Sequence, residues 1–153
     1  MSRNYLITGG AGFIGSNYAQ KLIQRGEAVT IFDNLSRAGA PRNIAWLQEQ
    51  FGKDAFRLIV GDVRNADQML DAAKDADIII HLAGQVAVTT SVINPRDDFE
   101  ANALGTFNAL EAARLSGRDQ SVRGRNCRRA GRCSGAISIS RVPDPGRAGA
   151  ARA

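Results

Sequence analysis

Apolar positions in the first 116 residues alternate between short runs and longer stretches with helical spacing. Tyr5-Leu6-Ile7-Thr8 is a strand-like run that stops at a glycine cluster. Phe13, Ile14, Tyr18, Leu22 and Ile23 then recur at helical intervals up to Arg25, and Gly26 is suited to the position just past a helix. The β-branched run Ala28–Phe32 predicts a second strand, followed at once by Asp33. Pro41 to Phe51 predicts a second helix, with Pro41 in its first turn and Ile44 and Leu47 on one face. Phe56–Val60 predicts a third strand and Asp67 to Lys74 a third helix. Asp77–Leu82 predicts a fourth strand, and Asp97 to Leu115 a long fourth helix carrying Phe99, Leu104, Phe107 and Leu110.

These strands are nearly continuous in apolar character, which indicates burial on both faces. Strands alternating with helices give a parallel sheet covered by helices. The expected fold class is therefore α/β, a Rossmann-type doubly wound parallel sheet of order 3-2-1-4. The pattern stops after about four strands and leaves an irregular basic tail.

The segment Thr8-Gly9-Gly10-Ala11-Gly12-Phe13-Ile14-Gly15 joins the first strand to the first helix. It holds two overlapping glycine triplets, Gly9/Gly12/Gly15 and Gly10/Gly12/Gly15. Early glycines permit a tight turn, Gly12 permits close approach of a pyrophosphate, and Gly15 permits close helix–sheet packing. The helix N-terminus supplies N–H donors and a partial positive charge. Asp33 ends the next strand 18 residues past Gly15, where a carboxylate accepts both ribose hydroxyls and repels a 2′-phosphate. Strand, loop, helix and acid together predict dinucleotide binding, with NAD as cofactor. Arg37 lies close enough to blur the distinction from NADP.

Two more strand ends fit the same pocket. Asp62 is placed to accept from an adenine amino group and Val63 to cover the ring; the competing role for Asp62 is an N-cap of the following helix. At His81-Leu82-Ala83-Gly84 small residues let a nicotinamide riboside lie against the backbone. His81 itself reads as a packed strand residue. One His and two Cys separated by five residues, Cys127 and Cys133, are poor zinc spacing, so no metal site is assigned.

Charge divides the chain. The formal total is +5 over 153 residues, but residues 1–116 carry 11 Lys+Arg against 13 Asp+Glu. Residues 117–153 carry 9 Arg against 2 Asp, both cysteines and no aromatic residue. The expected domains are thus 1–116, an incomplete NAD-binding unit, and 117–153, an Arg/Gly/Ala-rich tail, disordered or the product of a frameshift. The rival reading is a non-enzymatic protein whose cluster Arg123, Arg125, Arg128, Arg129 and Arg132 neutralises phosphates. Without aromatic residues for stacking, nucleic acid is not the expected partner. Ala136–Ser140 is the tail's one strand candidate, placed against the open edge of the fourth strand. No run is long enough to span a bilayer and no signal-peptide core is present, so no membrane partner and a cytoplasmic location are expected.

The set Thr8–Gly15, Asp33-Asn34, Gly61-Asp62-Val63-Arg64, His81–Gly84 and Asn102-x-x-Gly105-Thr106-x-Asn108-x-Leu110-Glu111-Ala112 resembles the extended short-chain dehydrogenase/reductases, the NAD-dependent epimerase/dehydratase family. The resemblance covers about residues 3–116. It implies a held NAD that takes a hydride from a nucleotide sugar and returns it to the other face of a keto intermediate. It implies cofactor contacts at Gly9, Gly12, Phe13, Ile14, Gly15, Asp33, Asn34, Asp62, Val63, Leu82, Ala83 and Asn102. Gln85, Thr89 and Thr90 would face the substrate. The loops Asp33–Arg37 and Gly84–Ser91 look like those of a 2-epimerase acting on a CDP-sugar; UDP- and dTDP-sugar 4-epimerases or dehydratases are the alternative. Oligomerisation is allowed by the resemblance alone.

The family's base is a Tyr of a Tyr-x-x-x-Lys motif, and this chain has none: Tyr5 is followed four residues on by Gly9 and Tyr18 by Leu22. No catalytic residue is assigned, and the chain is expected to be inactive alone, since proton transfer needs the group that moves the proton.

Overall fold

The computed structural model describes residues 2–85, 87–116, 120–124 and 136–139. Five parallel strands, β1 (Asn4–Thr8), β2 (Ala28–Asp33), β3 (Arg57–Val60), β4 (Ile78–His81) and β5 (Gln120–Gly124), form one sheet with an antiparallel β6 (Ala136–Ile139). The order is β3-β2-β1-β4-β5-β6. Helices α1 (Phe13–Gln24), α2 (Ala40–Phe51) and α3 (Ala66–Ala73) follow the first three strands. After β4 come α4 (Val88–Ile93), α5 (Pro95–Phe99), a π turn (Glu100–Leu104) and α6 (Gly105–Leu115).

Successive strand residues feed two separate cores, which is why the strands are apolar throughout. Ile7, Val29, Ile31, Ile78 and Ile80 pack with Leu22 of α1 and Ile44 and Leu47 of α2. Their neighbours Leu6, Phe32 and Ile79 face the opposite side, with Met69 of α3 and Ala109, Ala112 and Ala113 of α6. Leu6, Ile7, Ile31, Phe32 and Ile79 are completely buried, each contributing roughly 1.5–3 kcal/mol of transfer free energy.

The order 3-2-1-4 is found, but the sheet does not stop there. Residues 120–124, expected in an irregular tail, pair in parallel with β4, and Val122 lies opposite Ile79 in the second core. One buried apolar residue among Gln, Ser, Arg and Gly leaves no strand pattern to read; the edge of β4 supplies the hydrogen bonds. Residues 136–139 pair with β5, antiparallel, rather than with β4. The fourth helix begins at Pro95, earlier than expected, because Asn94 caps it by accepting the Asp97 N–H. From there to Leu115 the junction residues Phe99, Glu100, Leu104 and Gly105 all keep helical backbone, so the stretch is one helix interrupted by the π turn. Residues 88–93, expected as loop, form α4.

Arg125, Arg128, Arg129, Arg132, Cys127 and Cys133 lie outside the described residues. No helix among the described residues is long and apolar enough to cross a membrane.

Candidate functional site

The segments that follow β1, β2, β3 and β4 line one cleft of about 730 Å³. Its floor is the glycine loop. Gly9 has φ +69°, and a Cβ there would stand 2.6 Å from the Ala83 backbone nitrogen. A Cβ on Gly10 would meet Ile31 at 2.8 Å, and one on Gly15 would collide with the Gly9 carbonyl. These three are demanded by the protein's own packing. Gly12 differs: its φ is −69°, and an added Cβ would meet only the Gly9 carbonyl, at 3.2 Å. Its openness to the cleft, rather than its backbone, sets it apart.

Helix α1 starts at this floor. No side chain caps it and no acidic residue occupies its first turn. The N–H groups of Phe13, Ile14 and Gly15 precede the first intrahelical bond, from Ser16 N–H to the Gly12 carbonyl. Phe13 is 80% exposed and Ile14 53%. An uncapped N-terminus of this kind is a cradle for an anion.

Asp33 is aimed at the floor by two backbone donors. Its Oδ2 accepts the Ala11 N–H at 3.0 Å and its Oδ1 the Leu35 N–H at 2.8 Å. The second bond closes an Asx turn that holds Leu35 at φ +55°, a left-handed conformation uncommon for leucine. Each oxygen keeps a further acceptor position.

Asp62 does not cap α3; Asn65 does, accepting the Gln68 N–H at 3.1 Å. Arg64 instead grips Asp62 with Nε at 3.0 Å and a terminal nitrogen at 2.7 Å, and Asn34 donates to it at 3.2 Å. The Arg64 hydrogen bond outweighs partial burial and lowers the Asp62 pKa to about 2, so it remains a carboxylate.

His81 is packed, as expected, and buried to 5% exposure. Its Nδ1 lies 2.7 Å from Thr8 Oγ1 and its Nε2 3.1 Å from Thr106 Oγ1. Thr106 donates its hydroxyl to the Asn102 carbonyl at 2.6 Å, so it must accept from His81. The ring is thus protonated on Nε2 and accepts from Thr8 at Nδ1. Burial lowers its pKa to about 4.

Of the predicted cofactor residues, Gly9, Gly12, Phe13, Ile14, Gly15, Asp33, Asn34, Asp62, Val63, Leu82 and Ala83 line the cleft together. Asn102 does not line it: its amide is tied to Gln85 and Asp98. Of the predicted substrate residues Gln85 and Thr90 line the cleft, while Thr89 is exposed on α4 and lies outside it. Ser36, Arg64, Asp97 and Ala101 also line it and were not foreseen. Asp62 two residues before Arg64 was the available signal for that pair; Asp97 arrives on α5 and Ala101 on the π turn that follows it.

A profile of the GDP-mannose 4,6 dehydratase family matches residues 6–126, a span that includes β5. A CDP-paratose 2-epimerase of Salmonella typhi is 49% identical over 111 residues, 71% of this chain and 32% of that protein. A UDP-glucose 4-epimerase of Klebsiella pneumoniae is 39% identical over 114 residues, 73% of this chain and 81% of that protein. The crystal structure of the Thermus thermophilus UDP-glucose 4-epimerase in complex with NAD superposes with a TM-score of 0.65 at 35% identity, covering 76% of this chain and 35% of that one. The chain therefore spans about a third of the length of the Salmonella and Thermus proteins. With four-fifths of its length inside the family match and the switch-point cleft in place, the chain belongs to the GDP-mannose 4,6 dehydratase family, the NAD-dependent epimerase/dehydratases of the extended short-chain dehydrogenase/reductase group.

Proposed function

We propose that this chain supplies the NAD-binding part of a nucleotide-sugar epimerase of the CDP-paratose 2-epimerase kind. The observation that carries this reading is Asp33, fixed by the Ala11 and Leu35 N–H groups beside the uncapped start of α1. The residues fit the cofactor. Asp33 accepts the adenosine ribose hydroxyls, and the Phe13 and Ile14 N–H groups hold the diphosphate above Gly12. Val63 covers the adenine ring, while Asp62, whose acceptor positions are taken by Arg64 and Asn34, shapes that end of the cleft, and Leu82 and Ala83 support the nicotinamide riboside. Asn34 steadies Asp62. A bound nicotinamide supplies a hydride acceptor and donor for a sugar ring.

Gln85, in the segment after β4, and Thr90, on α4, line the cleft where a nucleotide sugar would meet that ring. The 49% identity to a CDP-paratose 2-epimerase supports a CDP-sugar; the UDP-glucose 4-epimerase relatives support a UDP-sugar as the second reading. The chain contains no Tyr-x-x-x-Lys, so the reading assigns it binding and orientation without the proton-transferring base. In this reading the binding unit comprises residues 1–116 together with β5.

The test is calorimetric titration of the 153-residue chain with NAD+, alongside an epimerase assay with CDP-paratose. Saturable binding without turnover is expected. No binding at millimolar NAD+ would sink the reading, and turnover would overturn the missing base.

A further inference from the structure

We infer that Gln85 sets the cofactor preference of the cleft by holding the Arg37 guanidinium over the glycine loop, away from the adenosine 2′ position. The inference rests on the dinucleotide reading above. An arginine shortly after the second strand is the usual acceptor of a 2′-phosphate, and Arg37 stands four residues past Asp33. Its side chain is directed elsewhere. A terminal nitrogen donates to Gln85 Oε1 at 3.2 Å, and Gln85 belongs to the segment after β4. In the sheet β2 and β4 flank β1, so a bond between their loops crosses the end of β1, where the glycine loop and the start of α1 lie. Strands two apart are separated by about 10 Å, a gap that a long arginine and a glutamine side chain close by meeting in the middle.

The orientation of the Gln85 amide is dictated by its surroundings. Its Nε2 donates to Thr90 Oγ1 at 2.9 Å, and that hydroxyl donates to the Ala87 carbonyl at 2.9 Å. The Thr90 hydroxyl can therefore only accept, which leaves Oε1 to face Arg37. Asn102 grips the Gln85 backbone at both N–H and carbonyl. The partner is neutral, so Arg37 keeps its full charge, and among the described residues it forms no ion pair. The cleft's other arginine, Arg64, is committed to Asp62. Arg37 is thus the cleft cation that one neutral hydrogen bond restrains. Released, it returns to the loop beside Asp33, where it offsets the repulsion between that carboxylate and a 2′-phosphate.

Dissociation constants for NAD+ and NADP+ are measured on the full chain and on Gln85→Ala, Gln85→Glu, Arg37→Ala and the Gln85→Ala/Arg37→Ala double variant. Gln85→Ala should narrow the preference for NAD+ by about threefold or more, chiefly through tighter NADP+ binding. Gln85→Glu, which holds the guanidinium by charge as well, should keep or widen the preference. In the Arg37→Ala background Gln85→Ala should leave the ratio unchanged. An unaltered ratio in Gln85→Ala with NAD+ binding intact overturns this inference alone, as does the same shift without Arg37 or a narrowed ratio in Gln85→Glu. A parent chain that binds neither dinucleotide overturns the dinucleotide reading as well.

Discussion

Asn102 holds Gln85 from both sides: its Oδ1 accepts the Gln85 N–H at 3.0 Å and its Nδ2 donates to the Gln85 carbonyl at 3.1 Å. The same Nδ2 donates to Asp98 at 3.0 Å, and Gly84 leaves the space, since a Cβ there would stand 2.6 Å from Asn102 Oδ1. Asn102 sits in the π turn, which re-aims one residue of a helix toward the end of β4. It acts on the cleft through the Gln85 segment.

Asn102→Ala removes these hydrogen bonds and leaves half-buried groups of Gln85 without them. A loss of about 1–3 kcal/mol of stability is expected, with NAD+ affinity reduced about tenfold. Thermal unfolding and NAD+ titration of the variant check both, and an unchanged melting temperature contradicts the clamp.

The glycines should separate by role. Gly9→Ala combines a positive φ with a 2.6 Å approach to Ala83, and a destabilisation of roughly 2–4 kcal/mol follows. Gly12→Ala meets only the Gly9 carbonyl at 3.2 Å, so its melting temperature should stay near that of the parent while NAD+ binding falls. Equal melting temperatures for the two variants would refute the division.

Asp33→Asn keeps the shape but loses the charge that accepts the Ala11 and Leu35 N–H groups and repels a 2′-phosphate. NAD+ affinity should fall by about tenfold or more, and the ratio of NADP+ to NAD+ affinity should rise. Titration with both dinucleotides reads this directly; a constant ratio removes Asp33 from the ribose site.

His81 gives a pH signature. Burial holds it neutral in the fold with a pKa of about 4 against 6.5 in the unfolded chain. The unfolded state therefore takes up the proton first as pH falls. Stability is complete above about pH 6.5 and declines toward pH 4, by up to roughly 3 kcal/mol. Asp62, lowered to about 2 by Arg64, adds a second loss at lower pH, as pH falls below 3.8. Urea unfolding between pH 4 and 7 should show the first slope in the parent chain and a flatter one in His81→Asn. The same slope in both would exclude His81 as its source.

Much of this was written locally. The apolar runs at residues 5–8, 28–32 and 78–80, the glycine cluster and Asp33 each signal through residue type and spacing, because a doubly buried strand and a pyrophosphate turn tolerate few alternatives. The sequence by itself therefore determined the α/β class and the order of the first four strands, and it pointed to twelve cofactor candidates, eleven of which line the one cleft. Tertiary structure alone decided the rest. Strand β5 exists because the edge of β4 offers a hydrogen-bonding ladder to a segment whose one apolar residue, Val122, is buried. Asn102 is tied to Gln85 and Asp98 instead of lining the cleft, and Arg37 is drawn across to Gln85. Both outcomes depend on which side chains of distant segments come within 3 Å or so, and spacing along the chain carries no such distance.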